Sequence, residues 1–313
     1  TFVSGMTGQI VAADSYSLPS GTEDFTVSSW IKTTQTQPTH TSPDSISGLL
    51  AWFDETTIVE SGGAVSEWSN RVTANSEYDL LQSSSSYQPT ISTQNGLDVI
   101  DLAGQKWMMT DNAGTNVASE AQPNTYIFVT KTENTSGERW MFDGGIPSGT
   151  NYADWRNVVY IDGNNYWATN SWNTGTSTGA TNTWVLVTAV LDGANSEIRI
   201  DGQQVGTGDS GTRSMQFGIL GGSRDRANGQ SANQAWDGQV AEFLMYDRHL
   251  TSQEILDIEE YLNDKWFGSG VNIDPPTDEI GTVLSFITQE APTTQTVTNT
   301  HDIDYSTTTG WTT

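Results

Sequence analysis

Carboxylates are the side chains of this 313-residue sequence that could do acid–base chemistry, since it contains 38 Asp and Glu residues. A retaining glycosidase places two carboxyl groups about 5–5.5 Å apart across one bond. Glu197 and Asp201 would share one face of a strand, but four residues span roughly 13 Å. Glu242 and Asp247 fall on opposite faces of a regular strand. We therefore predict no catalytic residues and no enzyme, although spacing along the chain does not test carboxylates from two separate strands.

Histidine and glycine motifs point to no other reaction. The three histidines, His40, His249 and His301, have no metal-ligand spacing and suggest no Ser/His/Asp arrangement. His249 is interpreted as a surface or turn residue. The glycine-rich run at 218–229 lacks the Lys-Ser/Thr of a phosphate loop. With no cysteine, disulfides and thiolate metal sites are excluded.

Binding residues are predicted between positions 151 and 172, where aromatic rings are mixed with amides and carboxylates. Flat rings can cover the apolar C–H faces of a sugar, while amide and carboxylate groups read its hydroxyls. The alternative is that these rings are core residues of a β-sandwich. The candidate ligand-binding residues are Asn151, Asp154, Trp155, Asn165, Tyr166, Trp167 and Trp172.

A second candidate surface is the long polar segment 223–237, because long loops are often functional. Asp225, Asn228 and Asp237 carry oxygen ligands that suit calcium, which is the one cofactor that we consider. The segment contains no Asp-x-Asp-x-Asp-Gly loop.

The balance of charges limits the partners. A formal net charge of -26, with only 12 Lys and Arg residues, excludes the basic clusters that nucleic acid or an anionic membrane surface would need. No apolar run approaches the ~20 residues of a membrane-spanning helix. The abundance of Ser, Thr, Asn and Gly is typical of proteins that are extracellular, or exposed on a cell or virion surface. Glycans, and other copies of the chain, are the expected partners.

The elements that must position these residues are short strands separated by Gly, Asn, Asp and Ser turns, which indicate a β-sandwich or jelly roll. One helix is predicted after Leu250, where Thr251 and Glu254 form a capping box and Gly268 ends the helix. Its apolar face consists of Ile255, Ile258, Leu262 and Trp266. The predicted organisation is an N-terminal strand segment or arm, a linker, the jelly-roll domain, a second linker, and a Thr-rich arm or start of another domain, at 1–33, 34–45, 46–268, 269–279 and 280–313.

Four segments occur in an order that identifies a fold family. They are "GLLAWFDETTIVESGGAVSEWSNR" (48–71), "TWVLVTAVLDGANSEIRIDGQQVG" (183–206), "FGILGG" (217–222) and "WDGQVAEFLMYDRHLTSQEILDIEEYLNDKWFG" (236–268). Through them, residues 46–268 resemble the laminin-G-like, concanavalin A-like lectin/glucanase jelly-roll superfamily of bacterial surface and phage proteins. The resemblance implies an all-β, antiparallel β-sandwich with one C-terminal docking helix. For a hydrolase, the resemblance also implies a strand with the motif Glu-x-Asp-x-(x)-Glu. This sequence lacks that motif.

Two functions follow as expectations. The first is a non-catalytic carbohydrate-binding or adhesion module of an exported or virion-surface protein. The second is a structural subunit of a filament, capsid decoration or tail fibre that assembles through its terminal arms by strand addition. A polysaccharide hydrolase or lyase ranks third.

Overall fold

The computed structural model of the chain describes residues 41–110, 120–144, 158–163, 165–168, 172–173, 181–212, 214–215, 218–222, 234–268, 285–286 and 297–298. The chain divides into two compact units. One unit consists of residues 39–274. The other combines residues 1–38 with 275–313, and two short strands in its described part, Ser285–Phe286 and Val297–Thr298, pair antiparallel.

Antiparallel strands make up most of the larger unit. In chain order they are β1 (Leu49–Phe53), β2 (Ile58–Ser61), β3 (Ala64–Trp68), β4 (Leu80–Leu81), β5 (Thr90–Gln94), β6 (Leu97–Asp101), β7 (Met108–Thr110), β8 (Asn124–Thr132), β9 (Arg139–Asp143), β10 (Val158–Asp162), β11 (Asn165–Ala168), β12 (Trp172–Asn173), β13 (Trp184–Leu191), β14 (Ser196–Ile200), β15 (Gln203–Gly208), β16 (Ile219–Leu220) and β17 (Gly238–Tyr246). One α-helix, α1 (Ser252–Phe267), follows β17. Short 3-10 turns cover Pro43–Ser45, Glu55–Thr57 and Thr73–Tyr78.

The strands form two layers. Sheet 1 has the order β15-β14-β13-β8-β17, with β1 and β6 both on the far side of β17 and β5 beside β6. Sheet 2 has the order β2-β3-β4-β7-β16-β9-β10-β11-β12. A single pair of residues, Ala64 and Thr90, joins the two ladders between β3 and β5.

Aromatic rings fill the space between the two layers. Phe142 of sheet 2 contacts Tyr126 and Phe243 of sheet 1, at ring-centroid distances of 5.4 and 5.1 Å. Phe53 of β1 likewise meets Trp68 of β3, at 5.5 Å. The contacts between opposite sheets, together with α1, confirm the predicted antiparallel β-sandwich with one C-terminal helix.

The central strands of sheet 1, β8, β13 and β17, are buried on both faces, because α1 covers the face that points away from sheet 2. The apolar stripe of α1 packs in one cluster with outward residues of the strands, among them Trp52, Val129 and Leu244. All nine residues of β17 are therefore buried, and its sequence is mostly apolar, without the alternation of apolar and polar residues that a half-exposed strand shows. Arg199 also lies on this covered face, where it pairs with Glu259 of α1 at 3.2 Å.

Helix α1 begins and ends where the sequence predicts. The Thr251 side chain accepts a hydrogen bond from the Glu254 amide, and the Glu254 carboxylate accepts one from the Thr251 amide. Gly268 ends the helix in the left-handed conformation, with φ of 58°. No helix in the described part of the chain is both long and apolar enough to cross a membrane.

The two Asp-Gly turns differ from each other. Asp201 and Gly202 have φ values of 50° and 81°, and they form the tight two-residue connection between β14 and β15. The Asp192–Gly193 pair opens a longer connection, because β13 ends at Leu191 and β14 starts only at Ser196. The Ser196 hydroxyl closes that loop by accepting from the Asp192 amide at 2.8 Å.

Candidate functional site

Sheet 2 carries a row of aromatic residues on the face that points away from sheet 1. Tyr160 of β10 lies opposite Trp140 of β9 and opposite Trp167 of β11 in the strand register. The rings of Trp140 and Tyr160 stack, with centroids 4.7 Å apart and planes 17° from parallel. Val159 and Ile161, on either side of Tyr160, belong to the core between the sheets. Since side chains alternate along a strand, Tyr160 faces outward.

Carboxylate and amide groups border this row. Asp162 and Asn165 lie opposite each other at the β10–β11 turn, and both are half-buried. Glu138, just before β9, accepts a hydrogen bond from the Gln234 amide at 2.7 Å. Burial raises the pKa of Tyr160, and the nearby charges of Glu138 and Asp162 raise it further. Both carboxylates therefore act on the Tyr160 hydroxyl.

We call Glu138, Trp140, Tyr160, Asp162 and Asn165 the β9–β11 platform. Trp140 and Tyr160 are only 1% and 4% exposed, so the stacked rings form its floor. The partly exposed carboxylates and the Asn165 amide are the groups that a ligand would meet. They can accept hydrogen bonds from hydroxyl groups, and the amide can also donate.

The predicted binding residues that the structure describes fall on both faces of sheet 2. Asn165 belongs to the platform, and Trp167 holds the register position opposite Tyr160. Tyr166 is 1% exposed and lies in the core between the sheets, so its ring does not face a ligand. This placement corrects the prediction for Tyr166. Trp172 pairs with Ala168 in the register of β11 and β12.

The remaining binding candidates, Asn151, Asp154 and Trp155, lie outside the described residues. Sequence reasoning missed Trp140, Tyr160, Glu138 and Asp162. No alternation of apolar and polar residues marks these positions, because "RWMFD" and "VVYID" contain continuous apolar runs, and the sequence does not say which strands are neighbours.

The candidate calcium ligands are described only in part. Asp225 and Asn228 lie outside the described residues. Asp237 is half-buried, and its backbone carbonyl accepts from the Glu133 amide at 2.7 Å. Within the described ranges, no three or more His, Asp or Glu residues come together in a way that could hold a metal ion. Calcium binding therefore stays a prediction.

A buried charge cluster lies beneath the end of α1. The Glu242 carboxylate of β17 accepts from the indole N–H groups of Trp52 and Trp266, at 2.7 and 2.6 Å, and from Lys265 Nζ at 2.8 Å. Lys265 also reaches Glu55 at 2.8 Å and Asp54 at 3.4 Å.

Arg71 completes this cluster by pairing with Asp54, and its guanidinium lies 3.6 Å from the centre of the Trp52 ring. Burial raises the pKa of Glu242, and Lys265 offsets only part of that effect. Burial acts in the same direction on Asp54, but its hydrogen bonds from Thr56 and the charges of Lys265 and Arg71 leave its pKa below the usual value.

Two carboxylates of this cluster, Asp54 and Glu242, thus share one ammonium group. Such a pair invites comparison with the acid–base carboxylates of a glycosidase. However, the side chains of Asp54 and Glu242 are almost fully buried, so a glycosidic bond has no access to them. The cluster anchors the end of α1 to β1 and β17.

His249 lies on the surface between β17 and α1, as interpreted from the sequence. The sequence did not indicate its partner, which is Asp192, with Nδ1 2.9 Å from Oδ2. The Ser196 hydroxyl donates to the Gly193 carbonyl and is hydrogen-bonded to the Ser210 hydroxyl, not to His249. These three side chains therefore form no Ser-His-Asp relay.

The fold defines the class of the protein as an antiparallel β-sandwich with a docked C-terminal helix. Within it, residues 106–256 match the family model of the concanavalin A-like lectin/glucanases superfamily. The match confirms, over that segment, the resemblance noted in the sequence. No curated protein matches the chain.

Several solved structures are similar to this chain at low sequence identity. A sialidase of Trypanosoma rangeli in complex with sialic acid matches with a TM-score of 0.47 and 14% identity, over 73% of this chain and 34% of the sialidase. Domain 4 of an extracellular GH43 arabinanase of Geobacillus stearothermophilus, in complex with arabinotriose, matches with a TM-score of 0.42 and 15% identity, over 67% of this chain and 98% of that domain. This chain thus covers about a third of the sialidase.

These matches contradict one prediction made from the sequence. The absence of a Glu-x-Asp-x-(x)-Glu strand led us to expect that the chain is not an enzyme. The solved structures that it resembles come from a sialidase and from a GH43 arabinanase. The exclusion of catalysis is therefore withdrawn, and the likeness itself extends only to the fold.

Proposed function

We propose that the sandwich unit binds carbohydrate through the β9–β11 platform. The observation that carries this proposal is the stacked Trp140–Tyr160 pair, placed in register with Trp167 and bordered by Glu138, Asp162 and Asn165. The partly exposed border groups can read the hydroxyls of a sugar, and the almost fully buried rings support them from below. The hydrogen bond from Gln234 holds Glu138 of this border in place before a ligand arrives, which lowers the entropic cost of binding.

A glycan array tests the proposal, with Asp162→Asn as the main variant. Loss of a hydrogen bond to a charged group costs about 1.5–3 kcal/mol, so we expect affinity to fall tenfold or more. Asp98→Asn is the matched control, because Asp98 is an exposed strand carboxylate on sheet 1. Its binding should equal that of the unmodified chain.

Three outcomes would change this conclusion. Absence of binding to every glycan, with and without calcium, would contradict the proposal. Equal weakening by Asp162→Asn and Asp98→Asn would place the site elsewhere. Release of new reducing ends from a polysaccharide panel would show that the unit also hydrolyses what it binds.

A further inference from the structure

One strip on the outer face of sheet 1 lies beyond the part that α1 covers. Lys131 is the only residue of β8 that is not buried, and Trp184 is the only such residue of β13. The two lie opposite each other in the strand register, so the cover ends at the same level on both strands. Val129 and Leu186, two residues away along each strand, are buried in the cluster beneath α1.

The strip continues in register across the neighbouring strands. Lys131 lies opposite Gln239 of β17, and Gln239 in turn lies opposite Asp101 of β6. Val240 and Ile100, the next residues on these two strands, belong to the core between the sheets. Since side chains alternate along a strand, Gln239 and Asp101 point outward.

The middle of the strip is a floor of fixed polar groups. Gln239 is 5% exposed, and its amide nitrogen donates to Asp101 at 3.1 Å and to Ser92 of β5 at 3.2 Å. Its amide oxygen is buried and has no hydrogen-bond partner among the described residues. A buried acceptor without a donor costs free energy, so a hydroxyl donor placed on this floor is favoured. We call Trp184, Lys131, Gln239, Asp101, Ser92 and Thr90, which lies opposite Asp101, the sheet 1 strip.

Lys131 contributes the positive charge of the sheet 1 strip. Its ammonium lies 5.4 Å from the centre of the Trp184 ring, in a cation–π contact that holds the charge without neutralising it. In the described part of the chain no carboxylate pairs with it, in contrast to Lys265, Arg199 and Arg248. Its N–H groups are therefore available to a ligand, and the contact with the ring restricts a flexible side chain in advance.

The charges around the sheet 1 strip favour a neutral, hydroxylated ligand. Asp101 belongs to the strip, and two further carboxylates lie at the same level, Glu133 directly after β8 and Asp237 directly before β17. Three carboxylates beside the single ammonium of Lys131 would repel an anionic polymer. A protein partner is disfavoured, because Trp184 is the one aromatic ring of the strip, whereas protein interfaces have a contiguous apolar core.

We propose that the sheet 1 strip is a second carbohydrate site, which binds a neutral polysaccharide independently of the β9–β11 platform. The Lys131 ammonium donates to sugar hydroxyls, the Asp101 carboxylate accepts from them, and the exposed part of the Trp184 ring covers a C–H face. The three strand steps from β13 to β6 span about 14 Å, which exceeds one sugar ring. Because the two sites lie on opposite outer faces of the sandwich, one unit holds two polysaccharide chains.

The test first weakens the platform with Asp162→Asn, so that the remaining binding reports on the sheet 1 strip. Affinity electrophoresis in xylan, mannan, arabinan and β-glucan compares this variant with and without Lys131→Met. We expect Lys131→Met to weaken binding of a neutral polymer about tenfold or more, the range for loss of a hydrogen bond to a charged group. Lys106→Met is the matched control, because Lys106 is also half-buried but donates to the Ser86 carbonyl.

Asp101→Asn, in the same background, should weaken binding to the same polymer, and it decides the question if Lys131→Met lowers the melting temperature. If Lys131→Met and Lys106→Met bind equally, the inference is overturned, while the effect of Asp162→Asn alone still decides on the platform. If none of the four neutral polymers binds the Asp162→Asn chain, the inference is also overturned. If Lys131→Met abolishes binding to polygalacturonate instead, the neutral ligand class is wrong.

Discussion

Lys265→Met should destabilise the sandwich more than any change to its surface charges. The substitution keeps the hydrocarbon stem but removes the ammonium that binds Glu242 at 2.8 Å. Glu242 would keep its two indole donors, and Asp54 would keep Arg71. Removing one partner of a buried ion pair typically costs about 3–5 kcal/mol, because a buried charge is left uncompensated. We expect a loss in that range at pH 7.

The loss should depend on pH in a defined direction. Burial already raises the pKa of Glu242, and without Lys265 that pKa will rise further. A carboxyl group whose pKa is higher in the folded state takes up a proton on folding as the pH falls, so the penalty shrinks in acid. Urea unfolding at pH 7 and pH 5 measures both effects.

Arg248→Met is the control for Lys265→Met. The side chains of Arg248 and Glu254 are 28% and 29% exposed, so their ion pair should contribute no more than about 1 kcal/mol. A Lys265→Met loss as small as that of the control, or one that does not shrink at pH 5, would refute this account of the cluster.

Three other predictions concern the same unit. Thr251→Ala removes the cap of α1 and should lower the free energy of unfolding by about 0.5–2 kcal/mol in urea; an unchanged midpoint would contradict it. Gly238→Ala would drive a Cβ into the Lys131 carbonyl, so soluble yield and the melting temperature should fall sharply, and a normal melting curve would count against the β8–β17 pairing. The hydrogen bond from Arg248 lowers the pKa of Glu254 from 4.5 to about 2. The stabilisation that the ionised Glu254 contributes is therefore present above pH 4.5 and is lost as the pH falls towards 2. Glu254→Gln should flatten the fall in stability over that interval, which acid titration followed by circular dichroism would detect.

Local signals in the sequence were sufficient for much of the fold. The capping box at Thr251, the spacing of the apolar residues and Gly268 each act within one or two turns of α1, so the sequence specified both ends of the helix. The Asp201–Gly202 turn is similarly local, since it needs two residues with positive φ. The Asp192–Gly193 pair instead opens a longer loop, which Ser196 stabilises by a side-chain contact.

The residues of the candidate site could not be predicted, because their positions depend on the strand register, which cannot be read from the sequence alone. Tyr160 and Tyr166 lie in the neighbouring strands β10 and β11, yet Tyr160 faces outward and Tyr166 lies in the core. A shift of one residue in the strand register would turn Tyr160 into the core and Tyr166 to the outer face. Likewise, Glu242 was assigned to a strand, but its partner Lys265 is separated from it by the turn into α1 and three helical turns. Only the docking of α1 brings them together.

The position of β17 also sets the order in which the chain can fold during synthesis. This strand lies between β8 on one side and β1 and β6 on the other, although it is the last strand of the sandwich to be made. Until residue 246 leaves the ribosome, those three strands have open edges, and open edges can pair with other chains. The sandwich therefore closes in one late step, and a chain cut before Gly238 would lack the middle of a sheet rather than its border.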